Sequence, residues 1–399
     1  MLPYPTALAT VLGQRFDWGT EAVPLLLSRG RVLADDLLAD RPLPPFDRVM
    51  LDGVAVDHRR YAAGQRAFRI AGTHAAGAPA VELTDATTVW EVMTGSVLPK
   101  GATAVVRVED LRREGDMVVL PEGIADGHGV HATGTDGRAG EVLLPAGTVV
   151  TPAATGVLAS VGQATVRVRR LPRVAVVATG DELVDVGQSP APHQLRRSND
   201  VAVASLLATA GITADRFHLR DERASLAAKL TTTLHDYDAV ILSGGVSRGK
   251  FDYVPEVLAE LGVRRLLHRV AQRPGKPLWV GRTGRTMVFG LPGNPVSTLA
   301  GTVVYVGAWL RACLGVEAPA RRARLDRDLA FAPDLTLFKT VCLSGADGDG
   351  AATCTPVGGG SGDYAGAARA TGFLVLPQAQ PGFRRGVAYD YLPHGTLLP

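Results

Sequence analysis

The segment D-A-V-I-L-S-G-G-V-S-R-G-K-F-D-Y-V, Asp238 to Val254, opens as a short apolar run, turns on two glycines and closes where a helical pattern starts. It reads as strand, glycine-rich loop and helix. Within it lies G-x-x-x-x-G-K, Gly244 to Lys250. A phosphate-binding P-loop continues with a Ser or Thr whose hydroxyl ligates Mg²⁺, and that position is Phe251. Nor does a following apolar strand end in an aspartate; the next two end in Gly281 and Leu291. The segment is therefore read as an anion-cradling loop of another kind.

The same alternation extends in both directions. Upstream, R-V-A-V-V-A-T-G (Arg173–Gly180) is a strand, and Ser198–Gly211 a helix with Ser198 or Asn199 as N-cap and Gly211 just past its end. Thr213–Arg220 is a second strand and Asp221–His235 a second helix. Downstream come a helix from Asp252 to Leu261 with Pro255 in its first turn, strands Pro277–Gly281 and Arg285–Leu291, and a long helix from Val296 to Leu314. Strands alternating with helices of this length predict a parallel, doubly wound sheet.

Flanking regions differ. The first forty residues read as helices, ended by the prolines of L-A-D-R-P-L-P-P-F (Leu38–Phe46). From Asp47 to Val119 short β-like runs predict a small β-rich domain. Residues 121–140 are glycine-rich loop; His128 and His131 lie three apart there without the further ligands a metal site needs. A helix-like Thr151–Gly162 returns the chain to its first unit, making that unit discontinuous. Beyond Gly315, short β runs predict a small barrel or sandwich. The expected domains are 1–42 with 137–168, 43–136, 169–317 and 318–399.

The 399 residues are 46% apolar and 20% charged, with a net charge of +3 and no block of like charges. No nucleic-acid or membrane surface is expected. Cys313, Cys342 and Cys354 form no C-x-x-C pair, which suits reduced thiols in a cytoplasmic protein. The N-terminus lacks the pattern of a signal peptide, and the apolar stretch Gly301–Leu314, interrupted by Arg311, is read as too short to cross a bilayer.

Ligands of open parallel sheets bind at the carboxyl ends of the strands. The loops expected there are Thr179-Gly180-Asp181-Glu182-Leu183, Arg220–Arg223, Ser243–Tyr253 with Ser243, Gly244, Gly245 and Ser247, and Leu291–Ser297. Glycine turns and helix N-termini favour an anion, and Arg248, Lys250, Arg269, Arg273 and Lys276 add charge. The same edge carries Asp181, Glu182, Asp221 and Asp252. Carboxylates beside phosphates need a cation between them. Mg²⁺, held by one or two carboxylates plus phosphate oxygens, meets that need. Simpler roles compete: Asp221 and Asp252 as N-caps, Glu182 as a first-turn acid, P-G-N-P (Pro292–Pro295) as a tight turn.

Five motifs in order then give a resemblance. P-P-F-D-R-V-M-L-D-G-V-A-V (Pro44–Val56), M-T-G-S-V-L-P-K-G-A-T-A-V-V (Met93–Val106), A-T-G-D-E-L-V (Ala178–Val184), S-G-G-V-S-R-G-K-F-D-Y (Ser243–Tyr253), and R-P-G-K-P with L-P-G-N-P-V-S are similar to the signature segments of MoeA-type molybdopterin molybdenumtransferases, the family that includes the gephyrin E domain. The resemblance implies a central molybdopterin-binding-like α/β domain, a small β-rich domain, a discontinuous helical N-terminal domain and a C-terminal β-barrel. It implies insertion of molybdate into adenylylated molybdopterin with Mg²⁺ and release of AMP. It also implies a homodimer with its site between subunits, and the adenylyltransferase as a further partner. Carried across by motif, Asp52, Thr94, Glu182, Asp221 and Asp252 are the catalytic candidates, with Glu182, Asp221 and Asp252 holding the metal. Arg269, Arg273 and Lys276 would hold anions, Pro292, Gly293, Asn294 and Pro295 shape the substrate loop, and Ser361 of G-G-G-S-G-D-Y joins them.

The chain departs from the family pattern at Val49, Leu51 and Val54, at His131 and Thr135, at Arg269 and Arg273 where Lys is common, and across Ala365–Gly372. Two other readings share the central fold: a molybdopterin adenylyltransferase or nucleotide pyrophosphohydrolase, and a binding paralogue without turnover. The D-G-V-A-V and M-T-G-S segments separate the chain from the first, and retention of Asp52, Thr94, Glu182 and Asp252 from the second.

Overall fold

The computed structural model describes residues 1–246, 253–346 and 352–398. The chain forms two compact units, one of residues 1–35, 147–155 and 165–399, the other of residues 36–146 and 156–164.

The first helix, α1 (Tyr4–Leu12), starts behind Pro3 and buries Ala7 and Val11. Beyond it the helical reading of the first forty residues is met only by a 3₁₀ turn at Leu25–Ser28. Asp17 accepts the Gly19 N–H at 2.8 Å, Gly19 turns at φ 83°, and the chain enters strand β1 (Thr20–Pro24). A partner distant in sequence overrides local helix propensity here, because β1 pairs antiparallel along its whole length with Thr165–Arg169.

The second unit is built on a mixed six-stranded sheet. Its strands are β2 (Gly53–Val56), β3 (Ala67–His74), β4 (Thr88–Val92), β5 (Ala104–Arg107), β6 (Arg112–Glu114) and β7 (Met117–Val119), in the order β5-β2-β4-β3-β7-β6. Side chains alternate between faces. Val54, Val56, Phe68, Val89, Val106 and Val118 fill one core, while Ala55, Val92 and Val105 join Val49 in another. Gly53 is required, since a Cβ there would lie 1.8 Å from the Val106 carbonyl oxygen.

After the return strand β8 (Thr165–Arg169) the chain builds an α/β layer structure. Its strands are β9 (Val174–Thr179), β10 (Asp215–Leu219), β11 (Ala239–Ser243), β12 (Arg264–His268), β14 (Trp279–Thr283) and β15 (Thr286–Leu291), in the order β10-β9-β11-β15-β14-β12; the two-residue β13 (Gln272–Arg273) lies outside this sheet. β10, β9, β11 and β15 are parallel, whereas β14 alone is reversed, pairing antiparallel with both β15 and β12, so the sheet is mixed where the sequence pattern predicts it parallel. The reason is the link: Thr283 pairs with Thr286 across Gly284 and Arg285, and two residues make a hairpin but not a crossover. Val174, Val176, Ala239, Ile241, Phe289 and Leu291 face a helix over Asn199–Ala208 and the long helix Pro295–Leu314. Ala175, Val177, Val240, Leu242 and Val288 face helices Arg223–Asp236 and Val254–Glu260 on the other side.

The helix Pro295–Leu314 is long and apolar enough to cross a bilayer, contrary to the sequence reading, but 72% of its most apolar window is buried within the protein. It is a core helix. A π-turn over Thr302–Val306 interrupts it.

The C-terminal strands are β16 (Arg322–Leu325), β17 (Thr336–Ala346), β18 (Ala352–Pro356), β19 (Gly372–Leu376) and β20 (Ala388–Pro393). They pair as β17-β18-β16-β20-β19 and back to β17, closing a five-stranded barrel. β13 adds to β17 in parallel, joining the barrel to the chain that leaves the α/β layer.

Candidate functional site

The four parallel strands end at Thr179, Leu219, Ser243 and Leu291. Their following loops enclose a cavity of about 600 Å³ lined by Thr179, Gly180, Glu182, Asn199, Asp221, Ser243, Gly244, Gly245, Gly293, Asn294 and Pro295. Glycines admit the close approaches. Gly180 has φ 144°, and a Cβ there would meet the Glu182 carboxylate at 2.5 Å, so that carboxylate folds back over the Gly180 backbone. Gly244 has φ 99°, and its Cβ would meet the Thr179 carbonyl oxygen at 2.8 Å.

The edge thus brings Glu182 and Asp221 to one cavity. Asp181, exposed beside them, accepts the Asp221 N–H at 3.3 Å. Asp221 does not cap the next helix, which starts at Arg223 behind Glu222 with no side-chain cap. Asp252 and Ser247, with Arg248 and Lys250, lie outside the described residues. No group of three or more His, Cys, Asp or Glu suited to a metal occurs among the described residues. Two carboxylates at a glycine-lined cavity still match the way Mg²⁺ is held, through one or two carboxylates with phosphate and water completing its shell.

A second cavity of about 830 Å³ shares Glu182, Gly293 and Asn294 with the first. One wall carries Arg273, Lys276 and Lys339; another is apolar, with Phe331, Leu335, Leu337 and Phe338. Ser361 also lines it, tied down by three interactions: its Oγ accepts from Asn294 Nδ2 at 3.1 Å, its carbonyl accepts the Val296 N–H at 2.9 Å, and Asp363 orders its loop. Asp363 accepts from the N–H groups of Gly366 and Gly359 at 2.8 and 2.7 Å, which holds its carboxyl below the ordinary value. Asn294 Nδ2 thus ties the P-G-N-P turn to Ser361, and its side chain makes no cap on the helix it precedes. Arg269 does not line either cavity; it adopts φ 69°, and its N–H donates to the Leu278 carbonyl at 2.8 Å.

Three residues not singled out for the site in the sequence line it or brace its loops. Asn199, read as a possible N-cap, makes no cap; its Nδ2 bridges Ser243 Oγ at 2.9 Å and the Gly293 carbonyl at 2.7 Å. Thr298 donates to the Pro292 carbonyl at 2.6 Å. Lys339 sits half-buried, donating to the carbonyls of Val357 and Gly358 at 2.9 and 2.8 Å, and burial pushes its ammonium below the ordinary value against the pull of Asp363. Only Asn199 carried a signal, a polar residue following a loop at the carboxyl edge.

In the other unit, the Thr94 N–H and hydroxyl both donate to Asp52 Oδ1 at 2.7 Å. The backbone donor first and the hydroxyl second hold the exposed Asp52 carboxyl below its ordinary value. His131 accepts from Arg48 through Nδ1 at 3.0 Å and donates through Nε2 to Asp136 at 3.0 Å. Because an arginine only donates, Nδ1 is the acceptor in this arrangement.

Residues 2–162 match a family model described as the MoeA N-terminal region (domain I and II), and residues 175–312 one described as a probable molybdopterin binding domain. A Synechocystis protein named molybdopterin molybdenumtransferase is 38% identical over 370 residues, covering 91% of this chain and 92% of that protein. A Bacillus subtilis protein of the same name is 32% identical over 398 residues, covering 96% and 92%. Among solved structures, a molybdopterin biosynthesis MoeA protein of Pyrococcus horikoshii superposes with a TM-score of 0.78 at 29% identity, covering 99% of each chain.

Proposed function

The chain belongs to the molybdopterin molybdenumtransferase family of molybdenum cofactor biosynthesis, and on that premise we propose that its carboxyl-edge cavities insert molybdate into adenylylated molybdopterin with release of AMP. The observation that carries this reading is the joining of a carboxylate-bearing, glycine-lined cavity to one lined by Arg273, Lys276, Lys339 and Ser361. A phosphoanhydride suits the first, and a tetrahedral oxyanion suits the second. The apolar wall of Phe331, Leu337 and Phe338 suits a flat heterocycle.

Each residue then has a task. Thr179, Gly180, Gly244 and Gly245 let the backbone approach the phosphates, and the start of the Asn199–Ala208 helix adds partial positive charge. Glu182 and Asp221, with Asp252 by motif, would hold Mg²⁺, which when bound withdraws charge from a phosphoanhydride. Arg273 and Lys276 bind and orient molybdate, with Ser361 as a neutral donor. Asn199 holds the Ser243 and Gly293 loops at a fixed separation. Asp52, ionised and oriented by Thr94, serves the site of the partner subunit in a homodimer; the family resemblance supports this assignment. The adenylyltransferase as donor of the substrate, the four-part domain division and a cytoplasmic setting belong to the same reading.

The test is molybdate-dependent AMP release from adenylylated molybdopterin with and without Mg²⁺. Release that needs both molybdate and Mg²⁺ is expected, and a fall of about 100-fold in Asp221→Asn. Release independent of molybdate would count against the reading.

A further inference from the structure

We propose that Gln272 and Tyr305 form a positioning pair, a buried strut that fixes the Arg273–Lys276 loop in its anion-receiving shape; the inference rests on the function proposed above. Gln272 is 1% exposed and Tyr305 0%. Burying an amide and a phenol is unfavourable unless their hydrogen bonds are made, and these two make them with each other and with the loop. The Tyr305 hydroxyl donates to Gln272 Oε1, and Gln272 Nε2 donates to the carbonyls of Pro274 and Gly275 at 3.2 and 3.4 Å. Carbonyl oxygens only accept, so the amide nitrogen must face the loop and its oxygen the phenol.

The loop is shaped around this amide. A Cβ on Gly275, at φ 87°, would come within 2.8 Å of Gln272 Nε2. Burial alternates along the segment: Gln272, Pro274 and Gly275 are buried, while Arg273 and Lys276 are exposed and line the 830 Å³ cavity. Backbone ties secure the loop's ends, with Arg273 paired to Leu337 and the Val270 N–H donating to the Lys276 carbonyl at 3.0 Å. Between them, the only side chain donating to the turn carbonyls among the described contacts is that of Gln272.

The far end of the strut is equally fixed. Tyr305 lies in the π-turn of the long helix, and such insertions recur at functional sites. Its ring meets Tyr4 edge-on at 6.3 Å, and Tyr4 meets Phe338 of the cavity wall at 5.0 Å. Two cations on a loosened loop would have to be ordered on binding, which weakens affinity without altering the groups that react.

The pair allows stability and positioning to be separated. Gln272→Met leaves the Tyr305 hydroxyl unpaired, and Tyr305→Phe leaves the amide oxygen unpaired. The double variant Gln272→Met/Tyr305→Phe leaves neither, so its Tm returns towards wild type. Its loop still lacks the side-chain donor: the Pro274 carbonyl loses the Gln272 amide, while the Gly275 carbonyl keeps only the Leu278 N–H at 3.1 Å. In the full chain, the double variant is expected to raise KM for molybdate in the AMP-release assay about tenfold, with kcat within about twofold. It is also expected to speed backbone hydrogen exchange across residues 270–279. Wild-type exchange there overturns the proposal, as does a KM that recovers together with Tm. If the wild-type chain itself shows no molybdate-dependent release, the functional reading fails while the exchange comparison still decides the strut.

Discussion

Asp52 illustrates how a single exposed carboxylate can be held charged without a cation. Two donors from Thr94 converge on one oxygen, and the charge-assisted bonds favour the ionised form. The folded-state value lies below the unfolded one, so the stabilisation is present above the ordinary aspartate range and is lost as pH falls through the lower folded value. Thr94→Val removes the hydroxyl donor but keeps the N–H. Carboxyl ¹³C titration is expected to show the Asp52 value moving up only part of the way to normal, since the larger cause is the backbone donor. A value unchanged by the substitution would assign the depression to the backbone alone. At Cys313 the opposite occurs: burial pushes the thiol up to about 11, although the Phe16 N–H donates to its sulfur, so it is a poor nucleophile near neutral pH.

At the scale of elements, what the sequence disclosed follows from how each element is buried. β9 and β11 are covered on both faces, so their apolar runs are continuous and legible. β1 is mostly exposed and depends on a partner about 145 residues away, so nothing local marks it as a strand. The carboxyl-edge loops were legible because topology dictates where they lie. Lys339 and the Gln272–Tyr305 pair were not, and Asn199 only by its place at that edge, because their roles are set by carbonyls they meet only in the folded chain. Gly53 belongs to this scale too. In the D-G step of β2, a methyl group would strike the Val106 carbonyl of β5. Gly53→Ala is therefore expected to lower stability by about 3 kcal/mol or more in urea denaturation, by forcing two paired strands apart.

For the molecule as a whole, Trp309 is the junction of the larger unit. Its ring is met edge-on by Phe16, Trp18 and Phe289, and its indole N–H donates to the Gln14 carbonyl at 2.8 Å. It thereby locks the N-terminal segment to both the long helix and the sheet. Trp309→Ala should cost about 3–5 kcal/mol, seen as a large drop in Tm, because so buried a ring leaves a void its neighbours cannot fill. The homodimer expected from the family makes a separate claim: sedimentation should give roughly twice the 41.8 kDa chain mass.

The same junction has a consequence for biosynthesis. Phe16 and Trp18 leave the ribosome almost three hundred residues before Trp309, and β8 must also arrive before β1 has a neighbour. The six-stranded sheet of residues 53–119, whose strands pair only with one another, can form while synthesis continues. The segment around Phe16 and Trp18 has to wait, its aromatic side chains exposed in the nascent chain, until partners made far later reach it.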